Sequence, residues 1–333
     1  MTHLRTRRLV CVGSAVVDIV MKVPALPEPG GDIVAGSSRL AVGGAFNVMA
    51  AARDQGATVT YAGSHGTGSF GDMVRSSLME LGIEMIAPRA TSLDTGFSIT
   101  FVTGDGERTF ATSPGAEARM TAQSLDSIPI SHDDLVYVSG YGLAYPESGP
   151  ALAGWLPRLE DSVTVVVDPG PLVAEIPRSV LRAAAARCNW WTCNEREARL
   201  MTGATIPNDS IRGLAELAGR DGVLVRLGRD GCLLLMRGRD IQRLPGHPLR
   251  SRTPSERATR TREPSWPRLR PARALLMRFV GPTWPPPRRS VSEPMAKPQF
   301  RAREPRRTAP RQQSAFTKVQ ATHSSVPSVR CYL

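Results

Sequence analysis

The chain has 333 residues, of which 41% are hydrophobic, and a formal net charge of +12 at pH 7. This composition is ordinary for a globular protein and excludes a fibrous one, and no apolar run is long enough to predict a membrane span. The five cysteines lack paired CxxC spacing and the five histidines form no HExxH motif, so neither a disulfide framework nor a zinc site is predicted, and a reducing cytoplasm is the expected location.

The positive charge is unevenly placed along the chain. Residues 251–333 carry 18 Lys and Arg against 4 Asp and Glu, whereas residues 1–250 have a net charge of −2. The last segment is also rich in Pro and Ser and has no hydrophobic period, so we expect disorder there. A folded core is therefore predicted over residues 1–250, followed by a basic tail over 251–333.

The first predicted element is a buried strand over Leu9–Val17. Arg5, Arg7 and Arg8 before it imitate the start of a signal peptide, but Asp18 interrupts the apolar run and no small-residue cleavage site follows. In an open α/β sheet, ligands bind at the carboxyl ends of the strands. Asp18 is thus a candidate for holding hydroxyl groups, and the alternative is a solvated aspartate at a strand end.

The next candidate site is the segment Gly43-Gly44-Ala45-Phe46-Asn47, which precedes a predicted helix from Val48 to Gln55. Two glycines let the backbone approach a bound molecule, and the free N–H groups of a helix start favour anionic or hydroxyl-rich ligands. The alternative is an ordinary turn between a strand and a helix.

The residues after this turn continue the pattern, with Gly56 at a predicted helix end, a strand over Thr58–Ala62 and spaced glycines from Gly63. Together with Asp18, the segment resembles the N-terminal half of the ribokinase-like (phosphofructokinase B, PfkB) family of sugar and nucleoside kinases. The resemblance implies ATP-dependent phosphorylation of a sugar or polyol, with ATP and Mg²⁺ as cofactors. It assigns the acceptor to Asp18, Gly43, Gly44 and Asn47.

Two stretches, about 21–42 and 95–112, consist of short runs interrupted by Pro or Gly and do not fit the alternating strand and helix pattern. The second contains Gly104-Asp105-Gly106, a strong hairpin signal. By the resemblance, these pieces form a small β-sheet lid that excludes water from the sugar site, and such lids can pair into a homodimer.

The glycines Gly66, Gly68 and Gly71 also spell GxGxxG, the fingerprint of a dinucleotide-binding protein. That fingerprint belongs in the first strand-to-helix turn, whereas here it follows a later strand and precedes a helix over Met73–Leu81. A nicotinamide enzyme is therefore the less favoured alternative.

Further buried strands are predicted over Leu135–Ser139 and Val163–Val167, with helices around Ala151–Leu159 and Arg178–Ala186. This alternation predicts a doubly wound, mostly parallel sheet with helices on both faces. The predicted fold class is thus α/β, a ribokinase-like three-layer fold with a small β-sheet lid.

The family resemblance also implies a nucleotide site in the second half. Asn194 and Glu197 match its Asn-x-x-Glu element, which organises magnesium and phosphates, so Glu197 is the candidate metal residue. The residues alone also fit a capping box at a helix start. The turn from Gly228 to Gly231 would lie beside the ATP base and ribose, although taken alone it predicts only a hairpin.

The resemblance also implies a second family motif, Asp-Thr-x-Gly-Ala-Gly-Asp, shortly after Pro245-Gly246. In the family this motif supplies an anion hole and the catalytic base. The segment Arg252–Thr259 contains neither glycine nor aspartate. No catalytic residue is therefore assigned, and impaired activity is predicted.

A change of reading frame explains this break. If the bases encoding residues 252–263 are regrouped one frame over, permitted codons give Asp-Thr-Val-Gly-Ala-Gly-Asp-Thr-His-Thr-Gly. We hypothesise a frameshift, from mutation or sequencing error, between about Leu244 and Arg252. The alternatives to a sugar kinase are a non-catalytic sugar-binding relative and a protein whose basic tail binds nucleic acid; no membrane partner is expected.

Overall fold

The computed structural model describes residues 8–246 of the chain. Within this part, thirteen strands and eight α-helices alternate. The strands are β1 Leu9–Val12, β2 Ala15–Lys22, β3 Ser37–Gly44, β4 Val59–Tyr61, β5 Glu84–Met85, β6 Phe97–Val102, β7 Arg108–Ser113, β8 Leu135–Ser139, β9 Thr164–Asp168, β10 Trp190–Asn194, β11 Gly222–Arg226, β12 Cys232–Met236 and β13 Gln242–Leu244. The helices are α1 Ala45–Asp54, α2 Ser69–Glu80, α3 Ala122–Asp126, α4 Gly140–Ala144, α5 Ser148–Trp155, α6 Arg178–Arg187, α7 Glu195–Thr202 and α8 Pro207–Leu217.

The larger sheet contains nine of the described strands, in the spatial order β13-β12-β11-β10-β9-β8-β1-β4-β5. The strands from β5 to β11 along this order are parallel, and β12 and β13 extend it with antiparallel pairing. Helices α1 and α2 pack on one face, whereas α5 to α8 pack on the other. The predicted α/β fold, with a mostly parallel sheet between two helical layers, is confirmed.

The smaller sheet has four described strands in the order β3-β2-β6-β7, and we call it the lid. Its existence was predicted, but its first part was expected over residues 21–42 and differs from that range. The lid begins at Ala15, and residues 23–36, which were predicted to belong to it, contain no strand. The predicted hairpin is confirmed, because β6 and β7 pair antiparallel around Gly106, whose φ is +87°.

The prediction of one central strand over Leu9–Val17, with Asp18 at its carboxyl end, was wrong. The chain leaves the large sheet after Val12, and β2, which contains Asp18, pairs with β3 and β6 in the lid. Strand β1 and the first residues of β2 are both buried, so the hydrophobic pattern of the sequence does not change where one strand ends and the other begins. Only Gly13 and Ser14 mark the transfer from one sheet to the other.

The lid returns to the large sheet at Gly44, beside the point where it leaves. The Ala45 amide donates a hydrogen bond to the Ser14 carbonyl oxygen at 2.9 Å. Gly44 has a φ of +62°, and a Cβ there would overlap the same Ser14 oxygen. Helix α1 starts directly after this contact, three residues earlier than predicted.

The GxGxxG segment has a structural role in the N-terminal turn of α2. The Asp94 carboxylate accepts hydrogen bonds from the amides of Gly68, Phe70 and Gly71 at 3.1, 3.0 and 2.7 Å. Burial opposes ionisation of Asp94, but these donors outweigh it and lower its pKa. Because a Cβ at Gly68 would overlap the Asp94 carboxylate, the glycine is needed for this contact.

The cysteines between residues 8 and 246 are Cys11, Cys188, Cys193 and Cys232, and each is buried and unpaired. Burial raises the pKa of every one of these thiols. In this same range, no helix combines the length and apolar character needed to cross a membrane.

Substituting Gly44→Ala is expected to lower the free energy of unfolding by at least about 1–2 kcal/mol, because its left-handed backbone suits glycine alone and the methyl group would meet the Ser14 carbonyl. Urea unfolding measures the change. Gly154→Ala is the matched control, since Gly154 is an exposed helical residue with open space around it, and alanine there should be neutral or stabilising. Equal effects at the two glycines would contradict the prediction.

Candidate active site

A cavity of about 140 Å³ lies between the lid and helix α4. We call the side of the lid that faces it the inner face. The residues lining the cavity are Ser14, Val16, Asp18, Gly44, Ser98, Phe110, Thr112, Tyr141 and Tyr145. Its walls are thus aromatic and hydroxyl-bearing, with one carboxylate.

The Asp18 side chain lies against the backbone of Gly43, on the neighbouring lid strand. A Cβ at Gly43 would overlap Asp18 Oδ2, so this glycine provides room for the carboxylate. Asn47, by contrast, lies in the first turn of α1, is partly buried, and is not among the lining residues found within residues 8–246. The structure therefore brings together Asp18, Gly43 and Gly44, and leaves Asn47 beside them.

Burial raises the pKa of Asp18 to about 6, although the positive charges of Arg39 and Arg108 lower it. The carboxylate is therefore poorly solvated when ionised. Such a group gains from any ligand that supplies hydrogen-bond donors.

Hydrogen bonds connect the lid to the core at the other wall of the cavity. The Thr112 hydroxyl donates to Ser98 Oγ at 3.2 Å, and Thr112 also shares a hydrogen bond with the Tyr141 phenol. Tyr141 belongs to α4, which starts where β8 ends. Sequence reasoning missed these three residues; the glycine after β8 was the one signal that this strand end was special.

A second polar group lies at the carboxyl ends of β9, β10 and β11. The parallel register places Asp168, Asn194 and Arg226 at the ends of these neighbouring strands. Arg226 Nη1 donates to Asp168 Oδ2 at 2.9 Å and to Thr192 Oγ1 at 2.8 Å. Arg226 Nη2 lies 3.6 Å from Glu197 Oε2, so the guanidinium group links two carboxylates.

Asn194 and Glu197 form the predicted capping box at the start of α7. The Glu197 amide donates to Asn194 Oδ1 at 2.8 Å, and the Asn194 amide donates to Glu197 Oε2 at 2.8 Å. The Asn194 side chain also donates to Glu197 Oε1 at 2.7 Å. Both carboxylate oxygens are thus engaged.

Burial, reinforced by the negative charge of Asp168, raises the pKa of Glu197 to about 7, while Arg226 opposes this shift. Burial disfavours the charge of Arg226 as well, but the two carboxylates outweigh it and raise the pKa of Arg226. The arginine therefore makes it possible to hold two acids at one edge of the sheet.

These side chains could hold Mg²⁺ only indirectly, through water molecules bound to the ion. Mg²⁺ prefers carboxylate oxygens and usually keeps several waters. Direct binding by Glu197 would compete with its bonds to Asn194, and between residues 8 and 246 no three His, Cys, Asp or Glu side chains form a metal-binding cluster. Glu197 is therefore suited to orient a water of a bound ion.

The predicted hairpin over Gly228–Gly231 is confirmed, since β11 and β12 pair antiparallel on either side of it. Gly228 and Gly231 have φ values of +59° and +88°. Gly228 is exposed, whereas a Cβ at Gly231 would overlap the Leu244 carbonyl oxygen. The turn is thus held by the chain that follows it.

The two halves of the site meet at Tyr141. Burial raises the pKa of this phenol, and the negative charges of Asp18, Glu197 and Asp168 raise it further. These carboxylates come from the lid, α7 and β9, so the cavity and the second polar group share the carboxyl edge of the large sheet. That edge is where open α/β sheets bind ligands.

Replacing Asp18→Asn is expected to stabilise the ligand-free protein at pH 8, because burial penalises the ionised carboxylate. Since the pKa rises from 3.8 to about 6, the penalty is absent below pH 4 and complete above about pH 6. The gain at pH 8 is at most roughly 3 kcal/mol, at about 1.4 kcal/mol per pKa unit.

Urea unfolding at pH 8 and pH 4 measures this difference, with the exposed Asp32→Asn as the matched control. A gain at pH 4 as large as that at pH 8, or none at pH 8, would show that the buried charge of Asp18 is not the cause.

Comparison with known proteins identifies the fold and the family. The sequence model of the pfkB family carbohydrate kinases matches residues 6–248. An uncharacterized sugar kinase of Escherichia coli K12, YegV, is 34% identical over 200 residues, which are 60% of this chain and 61% of the YegV length. The chain therefore matches less than two thirds of that protein.

Two solved structures share the fold. Adenosine kinase from Sinorhizobium meliloti superposes with a TM-score of 0.63 at 19% identity, covering 74% of this chain and 82% of that one. Arabidopsis thaliana ribokinase, complexed with ribose and ATP, superposes with a TM-score of 0.57 at 21% identity, covering 73% and 78%. Because the family model matches most of its length, the chain belongs to the pfkB family of carbohydrate kinases.

Proposed function

We propose that this chain binds a sugar or related polyol in the cavity between the lid and α4, as the acceptor of an ATP-dependent phosphoryl transfer. The observation that carries the proposal is the Asp18 carboxylate, which lies against the Gly43 backbone inside a cavity at the carboxyl edge of the large sheet. The ribose and ATP in the Arabidopsis relative support these two ligand classes.

The cavity is suited to hydroxyl groups. A carboxylate accepts hydrogen bonds from two hydroxyls of one polyol, and Asp18 is ionised above about pH 6. The rings of Phe110, Tyr141 and Tyr145 offer apolar surface for the C–H face of a sugar. Because the volume of about 140 Å³ is below the roughly 300–1,000 Å³ of pockets for drug-sized ligands, the acceptor is small.

The nucleotide would bind outside this cavity, near the carboxyl ends of β10 and β11. The residues that would hold it are Asn194, Glu197, Gly228 and Gly231. ATP supplies the phosphoryl group when bound, and Mg²⁺ offsets the charge of its phosphates. Glu197 would orient a water of that ion, and Arg226 would keep Glu197 and Asp168 in place. The lid would exclude bulk water, which otherwise competes with the sugar hydroxyl.

We also propose that the 333-residue chain is a poor catalyst. The match to the family model ends at residue 248, and the segment from Arg252 has neither the glycines of an anion hole nor an aspartate to act as base. Loss of such donors costs roughly 10²–10³ in rate, and loss of a positioned base roughly 10²–10⁴.

The test compares this chain with a version whose codons after Leu244 are regrouped by one frame. With a panel of sugars and polyols, we expect ADP release to rise by at least about 10³ in the regrouped version, while the two chains bind the acceptor alike. Asp18→Asn in the regrouped chain should remove the activity, which shows that the reaction uses the proposed cavity.

Normal turnover by the 333-residue chain would refute the impairment. Independent DNA reads with one uninterrupted frame would refute the frameshift. A chain that binds polyols and gives no turnover in either frame would favour the alternative of a non-catalytic sugar-binding protein. The less favoured alternative, nucleic-acid binding by the basic segment 251–333, lies outside the described residues, as does the predicted disorder of that segment. A cytoplasmic location stays a prediction.

We further propose a homodimer through the outer face of the lid, the side opposite the cavity. The outer positions of the four lid strands, which alternate with the inner ones, carry no charged side chain. Helix α2 covers part of this face, where the rings of Phe70 and Phe97 are in tilted contact with centroids 5.5 Å apart. Beyond it, Leu40 is 51% exposed. A second copy of the same apolar face is a self-complementary partner.

Leu40→Asp is therefore expected to convert a dimer to a monomer in size-exclusion chromatography with light scattering, because a charge would be buried in the interface. Leu200→Asp is the control, since Leu200 is 49% exposed on α7 and away from the lid. A monomeric parent protein, or equal effects of the two substitutions, would contradict the proposal.

A further inference from the structure

One buried carboxylate holds both ends of the hairpin formed by β6 and β7. Glu117 lies in the short 3-10 turn Ala116–Ala118 and is 1% exposed. Its Oε2 accepts a hydrogen bond at 2.8 Å from the amide of Gly96, which directly precedes β6. Its Oε1 accepts a hydrogen bond at 2.9 Å from the amide of Gly115, shortly after β7. The hairpin thus leaves the core and rejoins it at the same side chain.

The two ends of the hairpin approach each other closely at this carboxylate. A Cβ at Gly96 would overlap Glu117 Oε1, and a Cβ at Gly115 would overlap the Gly96 amide nitrogen. Both positions therefore need glycine, because any larger residue would keep the two amides from reaching one carboxylate.

The charge of Glu117 is not offset by a cation. Within residues 8–246, none of the ion pairs involves this side chain. Burial raises the pKa of its carboxyl group, although the Gly96 and Gly115 amides lower it. Burying an acid in this way is unfavourable unless hydrogen bonds compensate it. A carboxylate has two oxygens that can accept from two amides at once, whereas a glutamine side chain has one. The position therefore requires an acid.

A single backbone hydrogen bond connects this anchor to Asp18. The Val17 amide donates to the Gly96 carbonyl oxygen at 3.2 Å, and Val17 directly precedes Asp18 in β2. Gly96 is therefore held by Glu117 through its N–H group and holds β2 through its carbonyl group. A displacement of Gly96 would reach the carboxylate of the cavity within one hydrogen bond.

The hairpin also supplies part of the cavity wall, namely Ser98, Phe110 and Thr112. Ser98 and Thr112 are partners in the strand register, and the Thr112 hydroxyl donates to Ser98 Oγ at 3.2 Å. In the other direction, Ser98 is the register partner of Asp18. Because Ser98 is two residues from Gly96, about 7 Å along the strand, this polar row is close to the anchor.

The charge of Glu117 reaches the cavity wall as well. Burial raises the pKa of the Tyr145 phenol, and the negative charge of Glu117 raises it further. Tyr145 lines the cavity, whereas Glu117 is not among the lining residues found within residues 8–246. Glu117 thus acts from behind the wall and has no direct contact with a ligand in the cavity.

We propose that Glu117 is a positioning residue for the acceptor. By holding both ends of the hairpin, it fixes where Ser98 and Thr112 stand relative to Asp18, and this arrangement sets the affinity for the acceptor. The inference rests on the proposed sugar-binding function and adds a residue that acts on the same site through the backbone of the lid.

Glu117→Gln tests this role because the two side chains have the same shape. The glutamine NH₂ group would face one of the two backbone amides, donor against donor. We expect the acceptor to bind at least about 10-fold more weakly, as for the loss of one buried hydrogen bond. Hydrogen exchange should become at least about 10-fold faster for the amides of β6 and β7, and it should stay unchanged for those of β8 to β11.

Binding is measured by calorimetry on the full 333-residue chain with D-ribose, ribitol and D-fructose as probes, and exchange is measured by mass spectrometry without a ligand. If Glu117→Gln does not fold, Glu117→Asp takes its place, since the shorter side chain cannot reach both amides either.

Asp134→Asn is the matched control, because it also changes a buried acid to its amide. Asp134 is 4% exposed, accepts a hydrogen bond from the Ser131 amide at 2.7 Å and pairs with Arg8. It directly precedes β8, at the amino edge of the large sheet and away from the cavity. We expect this variant to leave acceptor binding unchanged.

Unchanged acceptor affinity in Glu117→Gln overturns the inference, and so does equal weakening in Asp134→Asn, because binding would then follow general stability. Faster exchange throughout residues 8–246 would also overturn it, since Glu117 would then support the whole fold and not the hairpin. A parent chain that binds none of the three probes overturns the proposed function itself.

Discussion

The hydrogen bond from the Ala45 amide to the Ser14 carbonyl determines where the lid stands relative to the large sheet. It joins the residue at which the chain leaves that sheet to the residue at which the chain returns. Side chains larger than hydrogen do not fit at this crossing, because a Cβ at Gly44 would overlap the Ser14 oxygen. The cavity exists because this contact holds β2 and β3 over the end of the sheet.

The two halves of the site treat their buried acids differently. Glu197 and Asp168 share one cation, Arg226, which is already in place before a ligand arrives. Asp18 has more distant cations and a pKa of about 6, so its charge is only partly offset. Ionised Asp18 therefore gains from a ligand that supplies hydrogen-bond donors, and in the proposed function those donors are the hydroxyl groups of the acceptor.

Sequence reasoning predicted the parallel sheet, the lid hairpin and the capping box, because each depends on residues close together in the chain. It put Asp18 in the wrong sheet, since the apolar residues from Leu9 to Val17 are buried on both sides of the break at Gly13. The contact between Asp168 and Arg226 was missed because these residues are 58 positions apart, and only the pairing of β9, β10 and β11 brings them together. Tyr141 was missed because its partner, Thr112, belongs to the lid.

The turn from Gly228 to Gly231 packs against Leu244 and Gly246, at the end of the described chain. The chain after residue 246 therefore starts beside the proposed nucleotide site, while the residues that line the cavity all come before residue 146. The 3′ end of the gene can change without altering a residue that lines the cavity. In the proposed function, recognition of the acceptor and chemistry upon it therefore depend on separate parts of the gene, and one change of reading frame would leave a protein that binds the acceptor without phosphorylating it.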